Sequence, residues 1–426
     1  MKSEFLKRFK ITLMTEGPLH IGNGNTYTKK ELYFDGKSVY VLDMKKFYLG
    51  LNPKLQVAFE EFVSGNPKEQ LSTWIKTKRL ENFAKTNSKY QLPYSVQLRY
   101  DGTIRSQLNE VHEFIKDAFG NPYIPGNSLK GALRTVILSK LIEDKINEEA
   151  DFRQKCLSKI EDAMKNKAKT VDKFLIDDLL ATLILDDKNE KDAKNDILRA
   201  LRISDSLPLK TSDFIFIQKK DKLGEGTRKG DKGHQISTYR ECLKPGTKIE
   251  FDVVIDTSIF EKQPDDVFNL YEFFKKRKYK TKSGEEVKSS RLEVYLRKSY
   301  QKYKTEYLNK FGIEEKTNGI KIYLGGGIGF LSKTVWIALL EKKERYRKVN
   351  EVLNSQFGDR NTKVYRDNHR EVIEFEGEKY ITNRNGNKAY YVNDESHHGA
   401  SPRTLKISDD NKEIGKTEIK IEEICS

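Results

Sequence analysis

Tyr123-Ile124-Pro125-Gly126-Asn127-Ser128-Leu129-Lys130-Gly131-Ala132-Leu133-Arg134-Thr135 carries the chain from an extended, proline-terminated approach into a helix. Asn127 or Ser128 is placed to cap the first turn. Leu129, Leu133, Val136, Ile137 and Leu141 recur at helical spacing and mark one buried face. Lys130 and Arg134, four residues apart, project from one side of the opening turns. Free N–H groups and the helix dipole already favour an anion there. Gly131 would let the helix approach a neighbour closely. Without further context this is a capped amphipathic helix with a solvated basic edge.

Strands flank this helix on both sides in the sequence. Phe9, Ile11 and Leu13 alternate with Lys10, Thr12 and Met14, a half-buried strand that stops at Gly17-Pro18. Leu32–Phe34 and Val39–Leu42 around Asp35-Gly36 read as a hairpin. Residues 44–90 read as mostly helical, and 145–200 as an all-helical insertion. Strands resume at Leu201–Asp205, Phe214–Gln218 and Ile249–Ile255, with a polar loop from Gly224 to Gly233 between the last two. A basic helix is expected over Arg291–Phe311, and Ile322–Leu324 is a strand. From Val364 the tail reads as a small antiparallel meander turning near Gly377 and Asn385-Gly386. Strands interleaved with helices make the chain α+β. Its 426 residues suit two halves, divided near residue 215.

The net charge of +15 and pI of about 9.2 attract polyanions. With 21 Tyr and 22 Phe the chain can build a real core. Cys156, Cys242 and Cys425 stand far apart, which argues against a disulfide framework or a structural zinc site. The charged N-terminus lacks a signal sequence, and apolar runs such as Thr334–Leu340 are too short for a bilayer. A cytoplasmic protein without a membrane partner is expected.

Two glycine-rich segments follow strands. Gly17-Pro18-Leu19-His20-Ile21-Gly22-Asn23-Gly24 lets backbone N–H groups approach a phosphate without Cβ interference. Tyr323-Leu324-Gly325-Gly326-Gly327-Ile328-Gly329-Phe330-Leu331-Ser332-Lys333-Thr334 comes near a Walker A pattern. Ser332 occupies the position where that pattern needs its second glycine, and it also breaks the dinucleotide spacing. A strand feeding a glycine loop with Lys333 beyond it still suits backbone phosphates.

These segments together resemble RAMP-family CRISPR proteins. "P-L-H-I-G-x-G" is similar to the family's opening, the Pro125–Arg134 block to its helix, and Gly325–Gly329 to its C-terminal glycine loop. In the form "LGGGxGFxSKT" that loop is most like the one in the fifth subunit of the type III-A Csm effector complex. Arg202-Ile203-Ser204-Asp205-Ser206 and Ser401-Pro402-Arg403-Thr404-Leu405-Lys406 resemble two further blocks of that subunit. The resemblance implies two ferredoxin-like (RRM-like) RAMP domains with helical insertions, residues 1–215 and 216–426. It implies a subunit that binds the 3′ region of crRNA, caps a filament of backbone subunits and supports 3′-end maturation by recruiting host nucleases, without cutting. RNA contacts are then expected at His20, Gly22, Gly24, Lys130, Arg134, Gly325, Gly326, Gly327, Gly329, Lys333 and Arg403. The rival is a metal-independent endoribonuclease with His20 as general base.

Residues 275–310 hold 13 Lys/Arg against 4 Asp/Glu among five tyrosines. That composition suits phosphate binding and base stacking, but Leu292, Leu296, Tyr303, Tyr307 and Phe311 share a helical face, so the tyrosines are expected mostly to pack. His397-His398 lack partners at metal-ligand spacing, and no cofactor is implied. No nucleophile elbow, zinc-protease motif or RNP1 signature is present.

Overall fold

Phe9, Ile11 and Leu13 are fully buried on a ten-residue strand at the centre of a five-stranded sheet. The computed structural model describes residues 5–66, 68–94, 110–166, 171–184, 193–224, 238–280, 286–313, 315, 318–357, 363–367, 370–375, 378–381, 402 and 404–424. Most of the Gly224–Gly233 loop, and Gly377, Asn385, Gly386, His397, His398, Ser401, Arg403 and Cys425, lie outside them.

Ten strands build two main sheets. In chain order they are β1 (Leu6–Thr15), β2 (Gly22–Tyr27), β3 (Glu110–Phe114), β4 (Leu201–Ile203), β5 (Phe214–Leu223), β6 (Thr238–Leu243), β7 (Lys248–Asp256), β8 (Lys321–Tyr323), β9 (Thr404–Ile407) and β10 (Lys416–Ile424). The first sheet runs β8-β10-β1-β7-β4 with every pair antiparallel. The second runs β9-β5-β6-β3-β2, antiparallel except where β3 meets β6. Residue 215 lies inside β5, and both sheets take strands from both sides of it.

Helices α1 (Gly126–Glu148) and α2 (Arg291–Glu306) pack on the first sheet. In chain order β1, α1, β4, β7, α2 and β8 form a β-α-β-β-α-β series, and β10 is inserted between β8 and β1. The start of α1 departs from expectation. Neither Asn127 nor Ser128 caps it; the helix follows Pro125 without a cap from its own flank. The Asp205 carboxylate accepts the Gly126 N–H at 2.8 Å, and Ser206 Oγ accepts the Ile124 N–H at 2.9 Å. A Cβ on Gly126 would sit 2.3 Å from the Ile203 carbonyl oxygen. The helix therefore starts hard against the end of β4, whose Ser204-Asp205-Ser206 extension supplies its cap.

α2 opens with a capping box between Ser290 and Glu293. It buries Leu292, Tyr295, Leu296 and Tyr303, and Tyr307 and Phe311 beyond it are buried too. The tyrosines of this basic stretch mostly pack, with Tyr300 half-buried and Tyr279 exposed. Much of its charge is paired: Lys276 with Glu293 at 3.2 Å, Lys298 with Glu143 at 3.1 Å and Lys304 with Glu315 at 2.8 Å.

Four short helices over 44–86 cover a three-stranded sheet of Leu32–Phe34, Ser38–Leu42 and Ser88–Pro93. They enclose a separate core around Phe47, Phe59, Phe62 and Trp74. The insertion after α1 is helical at Phe152–Lys165 and Lys173–Leu179, and the tail forms a three-stranded meander over Lys363–Ile381. Among the described residues no helix is long and apolar enough to cross a membrane.

Candidate nucleic-acid interface

β8 is buried throughout and delivers the chain into Gly325–Gly329 at the edge of the first sheet. Gly325 and Gly327 have φ of 93° and 79°, where side chains other than glycine are strained. A Cβ on Gly325 would lie 2.3 Å from the His20 carbonyl oxygen. That oxygen accepts the Gly326 N–H at 2.8 Å. The two glycine segments, about 300 residues apart in sequence, are thus stapled together by backbone. Beyond the staple, the N–H groups of Gly327, Ile328 and Gly329 have no acceptor among the described residues. Successive free N–H groups around a left-handed residue form an anion-binding concavity.

Arg240, on β6, lies beneath this loop. Its Nε is 3.2 Å from the place a Cβ on Gly327 would take, and its Nη1 is 3.6 Å from that of Gly326. The Nε is buried without a hydrogen-bond partner among the described residues. Burial lowers the guanidinium's pKa, yet arginine stays charged in proteins. His112 stands beside Arg240 in register on β3. Lys219 on β5 completes the floor; its pKa is lowered first by burial, then by repulsion from Lys406, Arg240 and Lys333, with Asp221 opposing. Asp221 itself is held by Lys406 at 2.7 Å. Cations therefore outnumber carboxylates here.

Strand alternation keeps the nearest acid away. Glu241, next to Arg240, points to the other face of the sheet, where it accepts from the Phe114 N–H at 2.9 Å, Lys116 at 2.8 Å and the Tyr90 hydroxyl at 2.5 Å.

The structure distributes the residues named from sequence unevenly. Gly325, Gly326, Gly327 and Gly329 form the loop, and Lys333 lies exposed just past it. His20 lies under the loop but is only 2% exposed. Its Nδ1 is 2.8 Å from the Glu241 carbonyl oxygen. Burial, with help from Arg240, His112 and Lys116, holds its pKa down at about 4, so the ring is neutral at pH 7. Gly22 and Gly24 are not in a loop: they lie on the exposed edge strand β2, beside a register shift. Gly22 pairs with Phe114 on β3, whereas Gly24, at φ 93°, lies within the shifted stretch between Gly22 and Thr26.

Lys130 and Arg134 turn away from the loop. Lys130 Nζ donates to the Leu201 carbonyl at 2.8 Å, and Arg134 reaches Asp196 at 3.6 Å. Asp205 already occupies the start of the helix. No neighbour comes within 4 Å of a Cβ placed on Gly131, so close packing is not its role. The helix and the glycine loop nevertheless share a cleft of about 280 Å³. They meet across it through Ser128, Gly131 and Thr135, roughly 100° or more around the helix from Lys130 at about 100° per residue.

Arg240, Lys219 and His112 were not apparent from sequence. The only signal was a lone arginine between Tyr239 and Glu241 in an otherwise unremarked segment.

A family model described as the RAMP superfamily matches residues 12–332. A curated relative called CRISPR system Cms protein Csm5, from Streptococcus thermophilus, is 31% identical over 351 residues, covering 79% of this chain and 82% of the relative. A protein of the same name from Mycobacterium tuberculosis is 28% identical over 346 residues, covering 78% and 84%. Among solved structures, a chain in the cryo-EM structure of a Csm-crRNA-target RNA ternary complex of a type III-A CRISPR-Cas system aligns with TM-score 0.58 and 22% identity. That alignment covers 97% of this chain and all of that one. The crystal structure of T. onnurineus Csm5 aligns with TM-score 0.50 and 20% identity, covering 78% and 95%.

Proposed function

Because the chain belongs to the RAMP superfamily and, within it, to the Csm5 proteins, we propose that it serves a type III-A Csm effector complex by holding the 3′ region of crRNA. In this reading it caps the filament of backbone subunits and supports 3′-end maturation by positioning the RNA end, with host nucleases doing the cutting. The two five-stranded sheets are read as two ferredoxin-like RAMP units interleaved along the chain.

The observation that carries the reading is the set of free N–H groups at Gly327–Gly329 above Arg240, with Lys219 and Lys333 beside them. Backbone amides and unpaired cations grip phosphates without reading bases. Lys130 and Arg134 are assigned to anchoring α1 rather than to RNA.

A second reading, a metal-independent ribonuclease, gains one point: the His112 ring lies 6.2 Å from that of His20, centroid to centroid. The burial of His20 and its weak basicity count against it, because a general base needs reach to its proton and a pKa near the working pH. Incubating the purified chain with guide precursor, with and without EDTA, separates the readings. Binding without cleavage is the expected result. Cleavage that persists in EDTA would select the ribonuclease, and absence of both would leave only the filament-capping role.

A further inference from the structure

The second turn of α1 carries a glycine that no neighbour demands. Glycine is the least favourable interior helix residue after proline, and a Cβ on Gly131 would meet nothing within 4 Å. What Gly131 faces is the cleft of about 280 Å³ shared with the glycine loop. That volume is close to the roughly 300 Å³ at which small-molecule pockets begin. Ser128 and Thr135 flank Gly131 on the helix wall, and Ile322, Ile328 and Lys333 stand across from it.

We propose that this cleft receives one nucleobase of the bound RNA, turned out of its stack, while the loop N–H groups hold the adjoining phosphate. The inference rests on the phosphate-binding reading above. Three features favour a base over a protein side chain. The cleft shares Gly325 and Ile328 with the glycine loop, so a phosphate held there delivers its own nucleotide to the cleft mouth. Among the described residues Lys333 is the only charged one in the lining, which suits a ligand tethered to phosphate. The walls combine apolar side chains for the flat of a ring with hydroxyls for its edge: Ser332 and Thr135 donate to the Gly329 and Gly131 carbonyls at 2.7 and 3.3 Å and keep lone pairs to accept.

The test uses the full chain and short single-stranded RNAs in which one abasic nucleotide is moved along the sequence. In the wild type, an abasic nucleotide at one position should weaken binding about tenfold, within the range for losing one base contact. Gly131→Leu, which fills the cleft, should weaken intact RNA by a similar factor and then ignore the abasic position. 2-Aminopurine at that position should brighten on binding the wild type and not the Leu variant. Gly131→Ala should lose less affinity and melt no lower than wild type, which keeps folding out of the comparison. Equal wild-type affinity for intact RNA and for every abasic RNA would overturn the proposal and leave the phosphate site standing. No binding of any RNA would overturn both. Loss of assembly with other subunits at unchanged RNA affinity in Gly131→Leu would show that the cleft holds protein, and would overturn it as well.

Discussion

Replacing Arg240 with Gln tests where the RNA backbone is held. The guanidinium lies under Gly326 and Gly327 with its Nε buried and unpartnered among the described residues, so an incoming phosphate would complete it without displacing an acceptor seen there. Hydrogen bonds to charged groups contribute about 1.5–3 kcal/mol, which at about 1.4 kcal/mol per decade is a loss of roughly 10- to 100-fold in affinity. Gln keeps a donor near the site but removes the charge. The salt dependence should therefore flatten by about 0.7 in log–log slope, the value for one phosphate contact on a single strand. Fluorescence anisotropy of a labelled RNA across a KCl series measures both quantities. Lys130→Gln is the matched control: it removes the same charge from a side chain that serves the Leu201 carbonyl. It should lower the melting temperature and leave RNA affinity within roughly twofold, since loss of one internal hydrogen bond costs about 1 kcal/mol of stability. The reasoning is refuted if folded Arg240→Gln binds as tightly as wild type with a parallel salt slope, or if Lys130→Gln is the variant that loses RNA.

Gly327→Val should weaken RNA binding at least as much as Arg240→Gln with no change in charge, because valine is strained at φ 79° and its Cβ would meet Arg240 at 3.2 Å; unchanged affinity would show the loop is not the contact. Asp205→Ala should cost about 1 kcal/mol through loss of the helix cap, with Asp205→Asn recovering most of it; thermal melts read this, and RNA affinity well below the melting point should not move. His20→Gln should remove a component of acid sensitivity. The folded ring resists protonation down to about pH 4, whereas the unfolded one takes a proton near 6.5, so this stability is complete above 6.5 and lost as pH falls toward 4. At about pH 5 the loss is roughly 2 kcal/mol, and denaturant titrations near pH 8 and pH 5 should show wild type dropping by that much more than the variant.

Local patterning carried a good part of the fold. The Phe9–Leu13 alternation became β1, the buried leucines of α1 stayed at their helical spacing, and the strand before Gly325 became β8. What local pattern could not carry was pairing over distance. β1 lies between β7 and β10, more than 230 and 400 residues away in places, and nothing near Leu6 specifies either partner. β6 escaped notice because Tyr239, Glu241, Cys242 and Leu243 are all buried, so the period-2 contrast of a half-solvated strand is missing. Its buried glutamate reads as polar surface until Tyr90 and Lys116 are seen to enclose it. Gly22-Asn23-Gly24 shows a related limit: glycine content signals freedom of the backbone, but not that Gly22 pairs with β3 while Gly24 sits in the irregular stretch before Thr26.

The fate of the positive charge explains why the site was harder to read than the fold. Spacing shows that Lys130 and Arg134 share a side of α1; it does not show what that side meets. In the folded chain it meets Leu201 and Asp196, and the basic stretch around α2 is likewise drawn into pairs with Glu143, Glu293 and Glu315. Such pairs take up part of the charge that the total of +15 suggests is open to a polyanion. Around the glycine loop the balance differs. Lys219 and Arg240 are partly withdrawn from water, Lys406 is committed to Asp221, and the nearest glutamate is turned through the sheet. Cations that are desolvated and lack a carboxylate gain more from a phosphate than fully hydrated ones do, because their attraction is screened less. The proposed location of the RNA therefore rests on which charges folding leaves unbalanced, a property of β5, β6 and the loop together that none of the three segments carries alone.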